Sequence, residues 1–243
     1  MEFYDIHSHI LFGVDDGSKD YEMSCKMVDM AYREGIRHIC ATPHYNRKSA
    51  EDSGRPAKIR QAFQKLQLYI ASEYPDMHLY PGNEVMYYSD MANDLTEGRI
   101  MPLNGSRYVL VEFKPGESYR TVYSGLQQVL HMRRIPVLAH IERLDCLWGD
   151  WERLDELKEA YVVLQMNTSS LVGGLFDKRV RQCRKLVSEG YIDVLGTDMH
   201  NLTTRAPKYK EAAAWIEKKC GRDRLRQIAQ DNPRAILANQ MID

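Results

Sequence analysis

Seven short β-rich runs, each followed by a polar or helical stretch, constrain this chain more than any other feature. They are 3-FYDIHSH-9, 37-RHICATPH-44, 78-HLYPGNEV-85, 107-RYVLVEF-113, 135-IPVLAHIE-142, 162-VVLQMNTSS-170 and 191-YIDVLGTDMH-200. Several are almost continuously apolar at their centres, as strands buried on both faces are. Helical patterns fill the gaps. Residues 18–35 begin at a candidate N-cap, Ser18, and end at Gly35. Residues 56–74 begin with Pro56 at a first helical turn. Further helices are predicted over 119–134, 150–161 and 176–190. Strand and helix in alternation predict a parallel sheet with covering helices, open or closed into a barrel. The polar stretch 45-YNRKSAEDSGR-55 reads as a mobile loop at one mouth of that sheet. No linker, repeat or low-complexity tract divides residues 1–243, so one domain is expected.

The acidic residues and histidines are not spread evenly over this frame. His7 and His9 end the first run and His44 the second. Glu84 ends the third, Glu112 the fourth and His140 the fifth, while Asp198 and His200 end the seventh. In parallel α/β sheets the C-terminal strand ends converge on one face, and that face carries the site. The i, i+2 pairs His7/His9 and Asp198/His200 each point to one side of a strand. A single histidine at such a place is ordinary. Five of the chain's eight histidines gathered there with carboxylates are not, because burying so many unpaired polar groups is costly. The other three, His38, His78 and His131, fall at strand starts or on a helix. Imidazole and carboxylate together form the usual ligand set for Zn, Mn or Fe, and these residues exceed the needs of one tetrahedral ion. A multinuclear centre with a bridging carboxylate is expected.

The formal net charge of −1 gives no basic footprint for nucleic acid. Five cysteines, odd in number and without C-x-x-C, suit a reduced, cytoplasmic chain. No signal peptide is evident at the start, and no apolar run reaches the roughly 20 residues of a membrane span. The segment 220-CGRDRLR-226 matches the bare C-x5-R pattern of cysteine phosphatases. It follows a helix rather than a strand and lacks the Ser/Thr after the arginine, so it is set aside.

Taken in order, H-x-H at 7–9, His44, Glu84, Glu112, His140 and D-x-H at 198–200 resemble the PHP superfamily of metal-dependent phosphatases. Within it, 5-DIHSHILFGVDDG-17, 107-RYVLVEF-113, 139-AHIERLD-145, 197-TDMHN-201 and 231-DNPRAIL-237 are similar to the bacterial manganese-dependent protein-tyrosine phosphatases of capsule and exopolysaccharide operons. The resemblance implies a distorted (β/α)7 TIM-like barrel with up to three divalent ions, Mn foremost, with Fe or Zn as alternatives. It implies one ion on His7, His9, Glu84 and Asp198, and a second on Glu84, Glu112 and His140. A third would lie on His44, His200 and an aspartate of VDDG, taken as Asp16 with Asp15 as the alternative. Arg143 and Arg205 match phosphate-binding arginines, and guanidinium forks suit phosphate oxygens. An aspartate of VDDG or a spare histidine would serve as general acid. The four carboxylates would leave a three-ion centre with a formal charge of about +2, a natural host for a phosphate dianion. The expected substrate is phosphotyrosine on a membrane-associated bacterial tyrosine kinase, without membrane insertion of the phosphatase. A small-molecule phosphomonoesterase, such as one acting on histidinol phosphate, is the alternative. A nuclease is disfavoured by the balanced charge, and a non-enzymatic binding module would need its open coordination positions blocked.

Overall fold

A computed structural model describes residues 1–174 and 176–242. Its strands are β1 (Phe3–Ser8), β2 (Ile36–Ala41), β3 (His44–Tyr45), β4 (His78–Pro81), β5 (Glu84–Met86), β6 (Tyr108–Glu112), β7 (Ile135–Leu138), β8 (Val163–Asn167) and β9 (Val194–Gly196). All pairings are parallel. Two of the seven expected strands are broken in two. Thr42-Pro43 separates β2 from β3, and Gly82-Asn83 separates β4 from β5. Hydrogen bonding therefore runs β1-β2-β4 in one sheet and β3-β5-β6-β7-β8-β9 in the other. Proline cannot donate to a ladder, and glycine permits a sharp change of direction, so both breaks have a local cause.

The sheet curls until its first and last strands meet. Ser8 bridges Met199. His9 N donates to Met199 O at 3.0 Å, and Asp198 N donates to His7 O at 2.8 Å. The buried Asp5 side chain reinforces this seam. It accepts from Thr197 N at 2.8 Å, Thr197 Oγ1 at 2.5 Å and His7 N at 3.2 Å.

Alternation sorts the strand residues into two layers. Val109, Val111, Leu164 and Met166 face the large apolar layer that includes residues of the surrounding helices. Tyr108, Leu110, Val137 and Val163 belong to a smaller apolar cluster inside the curl, with Leu103, Ile236 and Leu237. Along the inward face, side chains change from apolar to polar toward the C-terminal strand ends. Tyr108 and Leu110 lead to Glu112, and Val163 leads to Gln165 and Asn167.

The helices are α1 (Tyr21–Arg33), α2 (Arg47–Glu51), α3 (Arg55–Glu73), α4 (Met91–Thr96), α5 (Tyr119–His131), α6 (Trp151–Glu159), α7 (Lys178–Ser188), α8 (Tyr209–Cys220), α9 (Arg222–Arg226) and α10 (Asn232–Leu237). Five of them match the sequence expectations, four with shorter ends and α3 shifted one residue toward the N-terminus. The sequence patterns do not bring out α4, α9 or α10, and α8 enters only as the helix expected ahead of Cys220. The N-cap of α1 is Asp20, which accepts from Met23 N at 2.9 Å, and not Ser18. Ser18 is buried in the turn before it, its hydroxyl donating to Asp20 O. The stretch 45–55 is not one irregular loop. It holds the end of β3, the short α2 and the first residue of α3. Asp52 accepts from Gly54 N at 3.0 Å, a turn that leads into α3, with Pro56 in its first turn. No helix among the described residues is long and apolar enough to cross a membrane.

The seam predicts a specific weakness. Asp5→Ala removes the acceptor of two buried amides and a buried hydroxyl and is expected to lower unfolding stability by about 2–4 kcal/mol in urea titrations of metal-free protein. A change under about 0.5 kcal/mol would show that the seam does not depend on Asp5.

Candidate metal centre

The strand ends, the starts of β3 and β5 and the turn after β1 bring all nine expected ligands together. His7 lies in β1 and His9 just beyond it. His44 opens β3, Glu84 opens β5, and Glu112 closes β6. His140 follows β7, and Asp198 and His200 follow β9. Among the described residues, metal-competent atoms gather in four overlapping groups, each within 4.8 Å: His9/Asp16/His44/His200, His7/Glu84/His140, His7/His9/Asp198 and His44/Glu84/Glu112. His7, His9 and His44 therefore each serve two groups, where the family pattern gives each of them one.

Two of these residues have strained backbones. His140 has φ 33° and Asp198 φ 51°. Neither lies at a helix C-terminus, where this conformation is routine. Non-glycine residues in this region persist where the surroundings demand it, and here the twist aims two side chains into the cluster.

The distances suit divalent ions. Glu84 Oε1 lies 3.0 Å from His7 Nε2 and 3.0 Å from His140 Nε2, and Glu84 Oε2 lies 3.1 Å from His9 Nε2. Asp198 Oδ1 is 3.5 Å from both His7 Nε2 and His9 Nε2. His140 Nε2 is 3.6 Å from Glu112 Oε2. Asp16 Oδ1 is 3.3 Å from His44 Nε2 and 3.4 Å from His200 Nε2. Bonds of about 2.1 Å to one ion give ligand–ligand edges of about 3.0 Å in an octahedron and about 3.4 Å in a tetrahedron. The buried Nε2 of His200 also lacks a hydrogen-bond partner among the described residues. Buried polar atoms rarely stay unpaired, so this nitrogen fits a missing ligand partner.

The outer hydrogen bonds turn the same ring atoms inward. Gln165 Oε1 accepts from His140 N at 2.8 Å, which identifies that atom as the oxygen. His7 Nδ1, 3.1 Å away, must therefore carry its proton, leaving Nε2 bare toward the cluster. His9 Nδ1 bonds Asp15 Oδ2 at 2.8 Å, and His200 Nδ1 bonds Asp198 O at 2.9 Å, with the same result. Asn167 completes the chain. It accepts from Gln165 Nε2 at 2.9 Å and donates to Asp198 Oδ2 at 2.9 Å. Gln165 and Asn167 were missed in the sequence. The signal was present as Q-x-N on an otherwise apolar strand that supplies no ligand.

The two aspartates of VDDG separate clearly. Asp15 is buried, holds His9, and accepts from Gly17 N and His44 N at 3.0 and 3.1 Å. Asp16, 66% exposed in its side chain, faces His44 and His200. Arg143 Nη2 and Arg205 Nη2 both donate to Asp198 Oδ2, at 2.5 and 2.6 Å, and both side chains remain partly exposed at the rim. The C-x5-R segment builds no such site. Cys220 closes α8, where helix carbonyls rather than amides are free, and Arg226 pairs with Asp231 at 3.2 Å.

Without an ion, protons balance the carboxylates. Burial opposes charge on His9, but its bonds to Asp15 and Glu84 outweigh this and lift it to about 9. Burial likewise opposes charge on His44 and His140. Their bonds to Glu112 and Glu84 outweigh it and lift them to about 11 and about 10. Burial and the neighbouring charge of His9 push His200 down to about 4. Asp15 is held at about 2, because the bond from His9 overcomes its burial. The three raised histidines stabilise the metal-free fold fully below about pH 6.5, and that stabilisation is lost as pH rises through about 9 to 11.

Coordination requires neutral imidazole, so metal uptake must displace these protons. Calorimetric titration with Mn²⁺ at pH 7.5, in buffers of different ionisation enthalpy, is expected to show release of about three protons. Uptake without proton release would contradict this charge balance.

Comparison with known proteins agrees with the geometry. A family model described as capsular polysaccharide synthesis, CpsB/CapC, matches residues 3–238. Tyrosine-protein phosphatase CpsB of Streptococcus pneumoniae is 34% identical over 243 residues, covering 98% of this chain and 99% of the relative. Tyrosine-protein phosphatase YwqE of Bacillus subtilis is 33% identical over 239 residues, covering 98% and 92%. A chain from the crystal structures of YwqE and CpsB, described as unique metal-dependent tyrosine phosphatases, superposes with a TM-score of 0.89 at 31% identity over 99% of this chain and 96% of that one. Dihydropyrimidinase from Brevibacillus agri shares the fold alone, with a TM-score of 0.60 at 10% identity, covering 98% of this chain and 70% of its own. The chain belongs to the CpsB/CapC family of capsular polysaccharide synthesis.

Proposed function

We propose that this protein is a metal-dependent protein-tyrosine phosphatase. The observation that carries the reading is the meeting of five histidines and four carboxylates at one end of the curled sheet, with Arg143 and Arg205 beside them. His7, His9, Glu84 and Asp198 would hold one ion, Glu84, Glu112 and His140 a second, and Asp16, His44 and His200 a third. Mn²⁺ is the proposed metal, since a carboxylate-rich set favours it over Zn²⁺. When bound, such ions supply Lewis acidity at phosphoryl oxygens and acidify water at the site.

The protein's own groups do the rest. Asp198 fixes one Nη2 of each arginine, leaving their other donors for phosphate oxygens. These forks orient the dianion and stabilise charge on its equatorial oxygens. Water forms the new P–O bond as the bond to the tyrosyl oxygen breaks. The phenol, with a pKa of about 10, leaves without strong acid help. No cysteine adduct is needed. Asp16, on the exposed side, is placed to hold or pass a proton at its carboxylate.

An exposed rim admits a phosphorylated segment of a protein better than an enclosed pocket would. The family's link to capsule synthesis supports a membrane-associated bacterial tyrosine kinase as substrate, met from the cytoplasm. Residues 1–243 are read as one PHP-type domain, a distorted (β/α)7 barrel closed at the Ser8–Met199 seam.

Turnover of a phosphotyrosyl peptide is expected to vanish with chelator and return with Mn²⁺. Arg143→Ala is expected to lower kcat/KM by about 10²-fold, while Cys220→Ser leaves it unchanged. Chelator-insensitive turnover, or loss of activity in Cys220→Ser with metal still bound, would overturn the reading. Preference for histidinol phosphate over the peptide would overturn the protein substrate.

A further inference from the structure

Of the three ligand groups, the third draws on no strand longer than two residues. His7, Glu84 and Glu112 sit within hydrogen-bonded strands. Asp16 lies on an exposed turn, and His44 opens a strand of two residues. Something outside the sheet must keep the turn and this short strand in register.

Arg55, the first residue of α3, is placed to do so. Its Nη1 donates to Val14 O at 2.5 Å, and its Nη2 donates to His44 O at 2.5 Å. Val14 precedes the two aspartates directly. Asp15 Oδ2 accepts from His44 N at 3.1 Å, so the His44 backbone is gripped on both sides, by Asp15 at its N–H and by Arg55 at its C=O. The Arg55 Nε is buried and has no hydrogen-bond partner among the described residues. Leaving such a donor unpaired is costly, and a guanidinium is retained here at that cost. Its planar fork reaches two carbonyls at once, which the single ammonium of lysine does not do from the same stem.

We propose that Arg55 is a positioning residue for the third ion: by tying Val14 to His44 it sets the spacing of Asp16, His44 and His200. The proposal rests on the metal reading of the site. Arg55 touches neither the ions nor the substrate in this account. It acts through the backbone that carries two ligands.

The test is equilibrium binding of Mn²⁺ alone to the metal-stripped, full-length chain, with free Mn²⁺ read by electron paramagnetic resonance. Parent, Arg55→Gln, Arg55→Lys and Asp16→Asn are compared, with folding checked by circular dichroism. The parent is expected to take up three ions. Arg55→Gln is expected to weaken the last step by at least about tenfold and leave the first two unchanged, in the same pattern as Asp16→Asn. Arg55→Lys, which keeps the charge and loses the fork, is expected to fall between them and decides the case if the glutamine variant does not fold. A titration identical to the parent's, or equal weakening of all steps with a lower Tm, overturns the proposal and assigns Arg55 an ordinary structural role. A parent that binds no Mn²⁺ overturns the metal reading itself, and the proposal with it.

Discussion

Four imidazoles converge on one buried carboxylate, and the architecture is arranged around that contact. Glu84 is 1% exposed. Its Oε1 meets His7 and His140, and its Oε2 meets His9 and His44. Burial alone would push this carboxyl up. Its neighbour His7 and the bonds from His140 and His44 hold it well below the usual carboxylate range. A carboxylate so placed needs positive charge on every side, supplied by protons without metal and by shared ions with it. The break at Gly82-Asn83 starts β5 at Glu84, and the register of β3, β5 and β6 sets His44 opposite Glu84.

The outer groups explain how so polar a site survives within an apolar sheet. Every inward imidazole nitrogen of His7, His9 and His200 is fixed by a bond on the opposite nitrogen. Those partners differ in kind: an amide for His7, a carboxylate for His9 and a backbone carbonyl for His200. Basicity therefore differs among imidazoles of similar geometry, which would tune any ions they held. Asp198 links this cluster to Arg143 and Arg205, so one carboxylate both joins the candidate ligand set and holds the two guanidiniums.

Much of this was legible in the sequence, because ligands at strand ends leave a strong pattern: charged or imidazole residues closing apolar runs. The alternation of strands and helices followed from apolar periodicity. Other features were hidden for physical reasons. The break at Thr42-Pro43 leaves an apolar run looking continuous, since hydropathy does not register a change of direction. Ser18 and Asp20 are both good caps by type, and only the turn geometry decides for Asp20. Asp15 and Asp16 are neighbours of identical chemistry, so which one enters the cluster depends on a turn held by Gly17 and His44. Gln165 and Asn167 read as ordinary polar residues until β8 is placed between β7 and β9.

In the proposed function these nine side chains assemble a multinuclear metal centre. The most direct measurement is anomalous diffraction at the manganese edge from crystals of the Mn²⁺-loaded protein. Separate peaks are expected within coordination distance of His7/His9/Asp198, of Glu112/His140 and of Asp16/His44/His200, with Glu84 beside the first two. A map without peaks among these residues, from crystals whose protein still hydrolyses phosphotyrosine, would contradict it.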